Sequence, residues 1–252
     1  MKALLHVAAA VTFLAAAPAF AHGAMVDLSV YDRTEGRRLQ VYWHEGRAWI
    51  AGRPGNEYQV TLRSRQSQDV LAVVSVDGVN VITGQTADPS QSGYVLSPRG
   101  ALDILGWRKN LSQTAAFYFT ALPDSYAART GRPDDVGVIG LALFRRKQPP
   151  QPLSQAAPSA PRRSESAAES RADAASAGAL AKDERLGTGH GRQEHSPAVH
   201  VTFERATSSP AEVVTLYYDS HANLLARGII REPIPVAPLE PRPFPGFVPD
   251  PA

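Results

Sequence analysis

The sequence contains no cysteine in its 252 residues. That excludes disulfides, thiolate zinc centres and cysteine nucleophiles, so packing alone must hold the fold. An excess of one charge is also lacking. Lys and Arg total 26 against 24 Asp and Glu, a formal net charge of +2, too weak a bias to argue for nucleic acid as a partner. Beyond the first residues there is no apolar run approaching the ~20 residues that span a bilayer. The Gly-x-Ser-x-Gly elbow of serine hydrolases is missing too. The carboxylate pairs Asp134-Asp135 and Asp183-Glu184 are sequence neighbours, which seldom face one substrate. No residue is assigned as catalytic, and the reading leans away from an enzyme.

What is present begins with an export signal. Lys2 supplies a positive charge, Ala3 to Ala17 an apolar stretch, and Pro18-Ala19-Phe20-Ala21 small residues at the two positions a signal peptidase reads. Cleavage is expected after Ala21, giving a periplasmic or secreted product with no membrane span once the leader is gone. The stretch is short and rich in weakly apolar Ala, which argues against an anchor. No cysteine follows it to carry a lipid.

From Val26 to Phe144 short strands follow one another. Val26–Tyr31 and Tyr58–Arg63 alternate apolar and polar residues, the mark of antiparallel strands with one wet face. Val70–Val76 is a more continuous apolar run, as in a strand covered on both faces. Asp77-Gly78 lies between apolar runs and suits a tight hairpin. Leu39–Trp43, Ala48–Ala51, Ala115–Thr120 and Val136–Phe144 are further strands, with a helical turn or two near Ser125–Thr130. The fold class predicted is mostly β, an antiparallel β-sandwich of jelly-roll or Ig-like type.

Five segments are expected: a signal peptide over 1–21, the β-sandwich domain over 22–147, a disordered Ala/Ser/Pro linker over 148–185, a small β-meander over 186–232 and a proline-rich tail over 233–252. The linker is almost free of branched apolar and aromatic side chains and cannot bury enough surface to offset its ordering entropy. The meander is read from Val199–Phe203, Val213–Tyr218 and Leu224–Ile230. So few strands are marginal alone, so docking onto the first sheet, another chain or a ligand is expected. The tail favours polyproline II conformation, suited to an aromatic groove.

Two sets of residues stand out as candidate sites. Cleavage after Ala21 leaves His22 at the amino terminus, where its amine and imidazole could share a copper ion with a second histidine, His44. The aromatic residues Tyr42, Trp43, Tyr94 and Trp107 lie in or beside strands and could form a ligand-binding platform for a protein, a peptide or a glycan. His190, His195 and His200 with Glu194 form a third cluster able in principle to hold Zn or Ni. Their spacing matches no helical ligand motif, and the Gly-rich approach reads as a flexible loop.

Several phrases occur together: Val74-Ser75-Val76-Asp77-Gly78-Val79-Asn80-Val81, Gly93-Tyr94-Val95-Leu96, Gly106-Trp107-Arg108-Lys109, Ser125-Tyr126-Ala127-Ala128-Arg129-Thr130-Gly131-Arg132-Pro133, Val136-Gly137-Val138-Ile139-Gly140 and Leu186-Gly187-Thr188-Gly189-His190-Gly191. In these the chain resembles an uncharacterised family of exported bacterial β-rich proteins with no established activity. The resemblance implies a shared architecture and supplies no catalytic residue. The functional expectation is an exported, non-catalytic binding or interaction protein of the bacterial envelope, without a cofactor. The alternatives are a copper-binding protein or copper-dependent enzyme, and a structural envelope component.

Overall fold

The computed structural model describes residues 20–148 and 185–231. The expectations for residues 1–19 of the leader, for 149–184 of the linker and for the tail from 232 onward lie outside the described residues. In chain order the strands are β1 (Ala21–His22), β2 (Val26–Asp32), β3 (Arg37–Arg38), β4 (Val41–His44), β5 (Arg47–Gly52), β6 (Glu57–Ser64), β7 (Val70–Val76), β8 (Val79–Asn80), β9 (Tyr94–Leu96), β10 (Ala101–Ile104), β11 (Gly106–Arg108), β12 (Gln113–Ala121), β13 (Val138–Arg145), β14 (Leu186–His195) and β15 (Glu212–Ser220). A 3-10 turn at Leu122–Asp124 leads into helix α1 (Tyr126–Arg129), and helix α2 (His221–Ala226) follows β15.

These strands build two layers. In the first, β2, β6, β12 and β14 lie side by side, β1 and β3 flank the outer edge of β2, β10 pairs with β6 and β11 with β12. The second runs β4, β5, β15, β13 and β7, with β8 and β9 beyond β7. Only β5 and β15 pair in parallel; the other pairs are antiparallel. The alternation read from β2 and β6 puts Leu28, Val30, Tyr58, Val60 and Leu62 on the inner face, against Ile50, Val74, Ile139, Leu141 and Leu216 from the other sheet. The chain is thus a mostly β, two-layer sandwich.

Strand β7 is buried on both faces, as its continuous apolar run predicts: Val70, Val74 and Val76 face the other sheet, while Leu71 and Val73 pack outward with Phe144 and Phe203. Asp77 and Gly78 take φ of 51° and 69°, the left-handed pair that a two-residue hairpin needs to match strand twist.

The C-terminal segment is arranged differently from the expected meander. Val199–Phe203 is not a strand, and Leu224–Ile230 is mostly α2 and its capping turn. Ser220 accepts a hydrogen bond from the Asn223 backbone N–H at the start of α2, and Gly228 at φ 68° turns the chain back at its end. The two strands that do form go to different layers: β14 to the edge of the first sheet, β15 to the middle of the second. Docking was expected; insertion into both layers gives each strand the backbone partners that a short isolated ribbon lacks.

The Gly-rich stretch read as a loop is β14 itself. Glycine has no side chain to stabilise a strand, but here its absence makes room. A Cβ on Gly189 would sit 2.1 Å from Cζ of Tyr118, so the Tyr118 ring lies flat against bare backbone and supplies the packing that the glycine cannot.

Candidate functional site

The β4–β5 hairpin is closed by Glu45 and Gly46 at φ 48° and 73°, and its register pairs His44 with Arg47 and Trp43 with Ala48. In such a two-residue hairpin the closing pair exchanges its backbone hydrogen bonds across the ladder. The next residue, Trp43, therefore points its N–H and C=O away from β5, and so does Val41. Among the described residues β4 pairs with β5 alone, so this edge is open. Trp43 stands on it 51% exposed.

Beside the hairpin lies a groove of about 300 Å3 lined by Trp43, Arg47, Glu212, Val213, Thr215 and Tyr217. Topology explains it. Pairing of β15 with β5 begins only at Leu216 opposite Ala48, which leaves the first half of β15 without a strand on that side. Val213 is 64% exposed there. The Arg47 guanidinium lies 5.5 Å from the Tyr217 ring centre, and Tyr217 stacks on Trp49 at 4.9 Å, so the groove wall is rigid and aromatic. The Glu212 carboxylate is already engaged. It accepts from the backbone N–H groups of Ala24 and Met25 at 2.6 and 2.7 Å, tying the start of β15 to the segment after β1.

The four rings singled out from sequence do not form one platform. Trp107 is 4% exposed. Its ring meets Phe117 edge-on at 5.2 Å and its indole N–H donates to the Gly189 carbonyl at 3.1 Å. It is a core residue, because β11 turns it inward beneath β14. Tyr94 sits on β9 at the far side of the second sheet from β4, where its hydroxyl accepts from Arg108 Nε at 3.2 Å. Tyr42 packs outward with Trp49, Leu224 and Ile230. Of the four, Trp43 alone reaches the groove.

The two histidines considered for copper stand on different sheets, His22 in β1 opposite Asp27 and His44 at the end of β4 opposite Arg47. The Nε2 atom of His44 is 3.8 Å from the Glu45 carboxylate. Among the described residues no group of three His, Asp or Glu side chains converges as a metal site would. The third cluster is divided by a bulge: pairing steps from Ala115–Gln193 to Phe117–His190, three residues on β14 against two on β12. Arg192 and Glu194 consequently face Glu57 and Arg33 on the outer side of the sheet, whereas His190 faces inward with Thr188.

The interior holds a polar network that sequence reasoning missed. Asp77, at the end of β7, accepts from the Gly137 N–H at 2.9 Å, the Thr188 N–H at 2.8 Å and the Tyr218 hydroxyl at 2.5 Å. Thr188 Oγ1 lies 2.6 Å from both the Tyr218 and the Tyr58 hydroxyls. Each hydroxyl has one proton. With that of Tyr218 given to Asp77, Thr188 must donate to Tyr218 and Tyr58 to Thr188, so the chain of hydrogen bonds runs one way toward the carboxylate. All four residues are buried. Burial pushes the Asp77 carboxyl up to about 6 against the hydrogen bonds, that of the Tyr218 hydroxyl foremost, that favour its charged form, and raises both tyrosine hydroxyls well above their ordinary value. The buried network joins β6 and β14 of one layer to β7 and β15 of the other as an internal tie.

Comparison with known protein families, with characterised proteins and with solved structures finds no match. What defines the chain is therefore its own geometry: a two-layer β-sandwich with an unpaired, tryptophan-bearing edge strand beside a groove.

Proposed function

We propose that the protein is an exported, non-catalytic binding protein of the bacterial envelope that captures an extended peptide segment along β4. The observation that carries this reading is the open β4 edge with half-exposed Trp43 standing on it. An added strand would pair with the outward N–H and C=O groups of Val41 and Trp43. Its alternate side chains would lie beside the exposed Trp43 ring. Main-chain bonding supplies affinity in this mode, and the side chains flanking the added strand, Trp43 foremost, supply selectivity. Left uncovered, such an edge is a liability that proteins ordinarily blunt with charge or proline, and no residue from Val41 to His44 does so.

The test is selection of displayed ten-residue peptides on the full chain, followed by affinity measurement with Trp43→Ala. Peptides selected by the native chain are expected to bind the variant at least about tenfold more weakly, with its thermal midpoint essentially unchanged because Trp43 is half in solvent. Equal binding by the two proteins, or saturable capture of glycans in place of peptides, would overturn the reading.

Export rests on the leader composition. Ala21 is buried and pairs with Leu28, and it also borders the groove. Cleavage after it would place the new amino terminus at His22, next to that groove. Mass spectrometry of the exported product is expected to show His22 as the first residue; a product that retains Met1 would remove the export reading.

A further inference from the structure

A second pocket, independent of the β4 edge, opens where α1 closes the end of the sandwich. It measures about 310 Å3 and is lined by Asp124, Tyr126, Arg129, Thr130 and His190, a volume at the lower end for small-molecule sites, which run upward from roughly 300 Å3. His190 stands on β14 opposite Phe117 of β12. Its imidazole stacks on the Tyr126 ring at 5.7 Å and 29°, and Tyr126 in turn rests on Trp107 at 4.8 Å. The flat floor is thus backed by a core tryptophan that cannot move.

The charges around this floor are unbalanced. Arg129 from α1 and Lys109 from the β11–β12 connection both act on His190 through their charge. Neither side chain has a hydrogen bond or an ion pair among the described residues. Asp124 is the one carboxylate in the lining. The Thr130 hydroxyl is occupied, donating to the Tyr126 and Ala127 carbonyls and accepting from Arg132. One cation without a side-chain partner, Arg129, an imidazole and an aromatic face line one small cavity, and Lys109 adds its charge near His190.

We propose that this pocket binds a small molecule carrying an oxyanion, a carboxylate or a phosphate, with Arg129 and His190 holding the charge, Lys109 adding to the positive field and the Tyr126 ring carrying a flat portion. Guanidinium and ammonium groups supply charge-assisted hydrogen bonds to such oxygens. The pH dependence has a defined sign. Partial burial, then the neighbouring cations Lys109 and Arg129, hold the His190 imidazole below its ordinary value. A bound anion offsets those cations and favours imidazolium, so by linkage affinity must rise as pH falls through the His190 titration. The groups facing His190 are Lys109, Arg129, Asp124 and Tyr126.

The experiment follows the His190 imidazole by NMR in the full chain, with His190→Gln to assign its signal. The probes are benzoate, inorganic phosphate and neutral benzamide. Benzoate and phosphate are each expected to give a saturable shift and to raise the His190 midpoint, with affinity gaining about tenfold for each unit of that rise. The tighter of the two identifies the natural group as carboxylate or phosphate. Arg129→Gln, an exposed position without partners, is expected to weaken binding about tenfold while leaving the melting midpoint unchanged. Absence of a saturable shift with both anions, an equal response to benzamide, or unaltered binding by Arg129→Gln would overturn the proposal.

Discussion

Asp77→Ala is expected to destabilise the fold by about 4 kcal/mol, a large part of the 5–15 kcal/mol margin of an ordinary domain. The change leaves the Gly137 N–H, the Thr188 N–H and the Tyr218 hydroxyl without an acceptor in a place water does not reach. Each buried orphan costs roughly 1–3 kcal/mol. Alanine at φ 51° adds strain that aspartate tolerates better. Urea unfolding is the measurement, and a loss below about 1 kcal/mol would show that the network does not hold the layers together.

The same residue fixes a pH dependence. Its carboxyl rises from 3.8 to about 6 on folding, so between those values the folded chain holds a proton that the unfolded chain has released. Stability from Asp77 is therefore full below 3.8 and is lost as pH rises through about 6. Asp77→Asn cannot titrate. The stability of the native chain minus that of Asp77→Asn is expected to decline with rising pH across this window, approaching about 1.4 kcal/mol per unit at its steepest. A flat or rising difference would place the charged form of Asp77 among the stabilising groups.

Trp107→Ala is expected to cost about 3–5 kcal/mol, as removal of a large buried ring does. It vacates the space beneath Phe117 and Tyr126 and leaves the Gly189 carbonyl without its indole donor. Chemical denaturation should show this loss, in contrast with Trp43→Ala, whose effect falls on peptide capture. Near-native stability of the Trp107 variant would mean that the ring is not part of the core.

The two tryptophans show how much of the site was legible. Both lie in strands, and nothing local separates the exposed ring from the buried one. Trp107 is covered because β14, some eighty positions later, lies beside β12 and offers the Gly189 carbonyl to its indole. Trp43 is exposed because, among the described residues, no strand pairs along the outer edge of β4. The groove residues Val213, Thr215 and Tyr217 read as ordinary strand residues. The hairpin that opens the edge could have been suspected from Glu45-Gly46, but whether another strand would cover β4 could not. The Asp77 network was hidden for the same reason: Tyr218 is 141 positions from Asp77, and Thr188 is 130 from Tyr58.

The sequence by itself determined that the chain makes short β-strands, where most of those before residue 148 lie, and that Asp77-Gly78 turns between two of them. Alternation, turn chemistry and helix caps act over a few residues, so they can be read locally. Only the tertiary structure decided that the glycine-rich segment Leu186–His195 is a strand, that β14 and β15 enter different layers, and which aromatic rings meet solvent. A strand's neighbour is chosen by contacts between residues far apart in the chain, and burial exists only once those neighbours are in place.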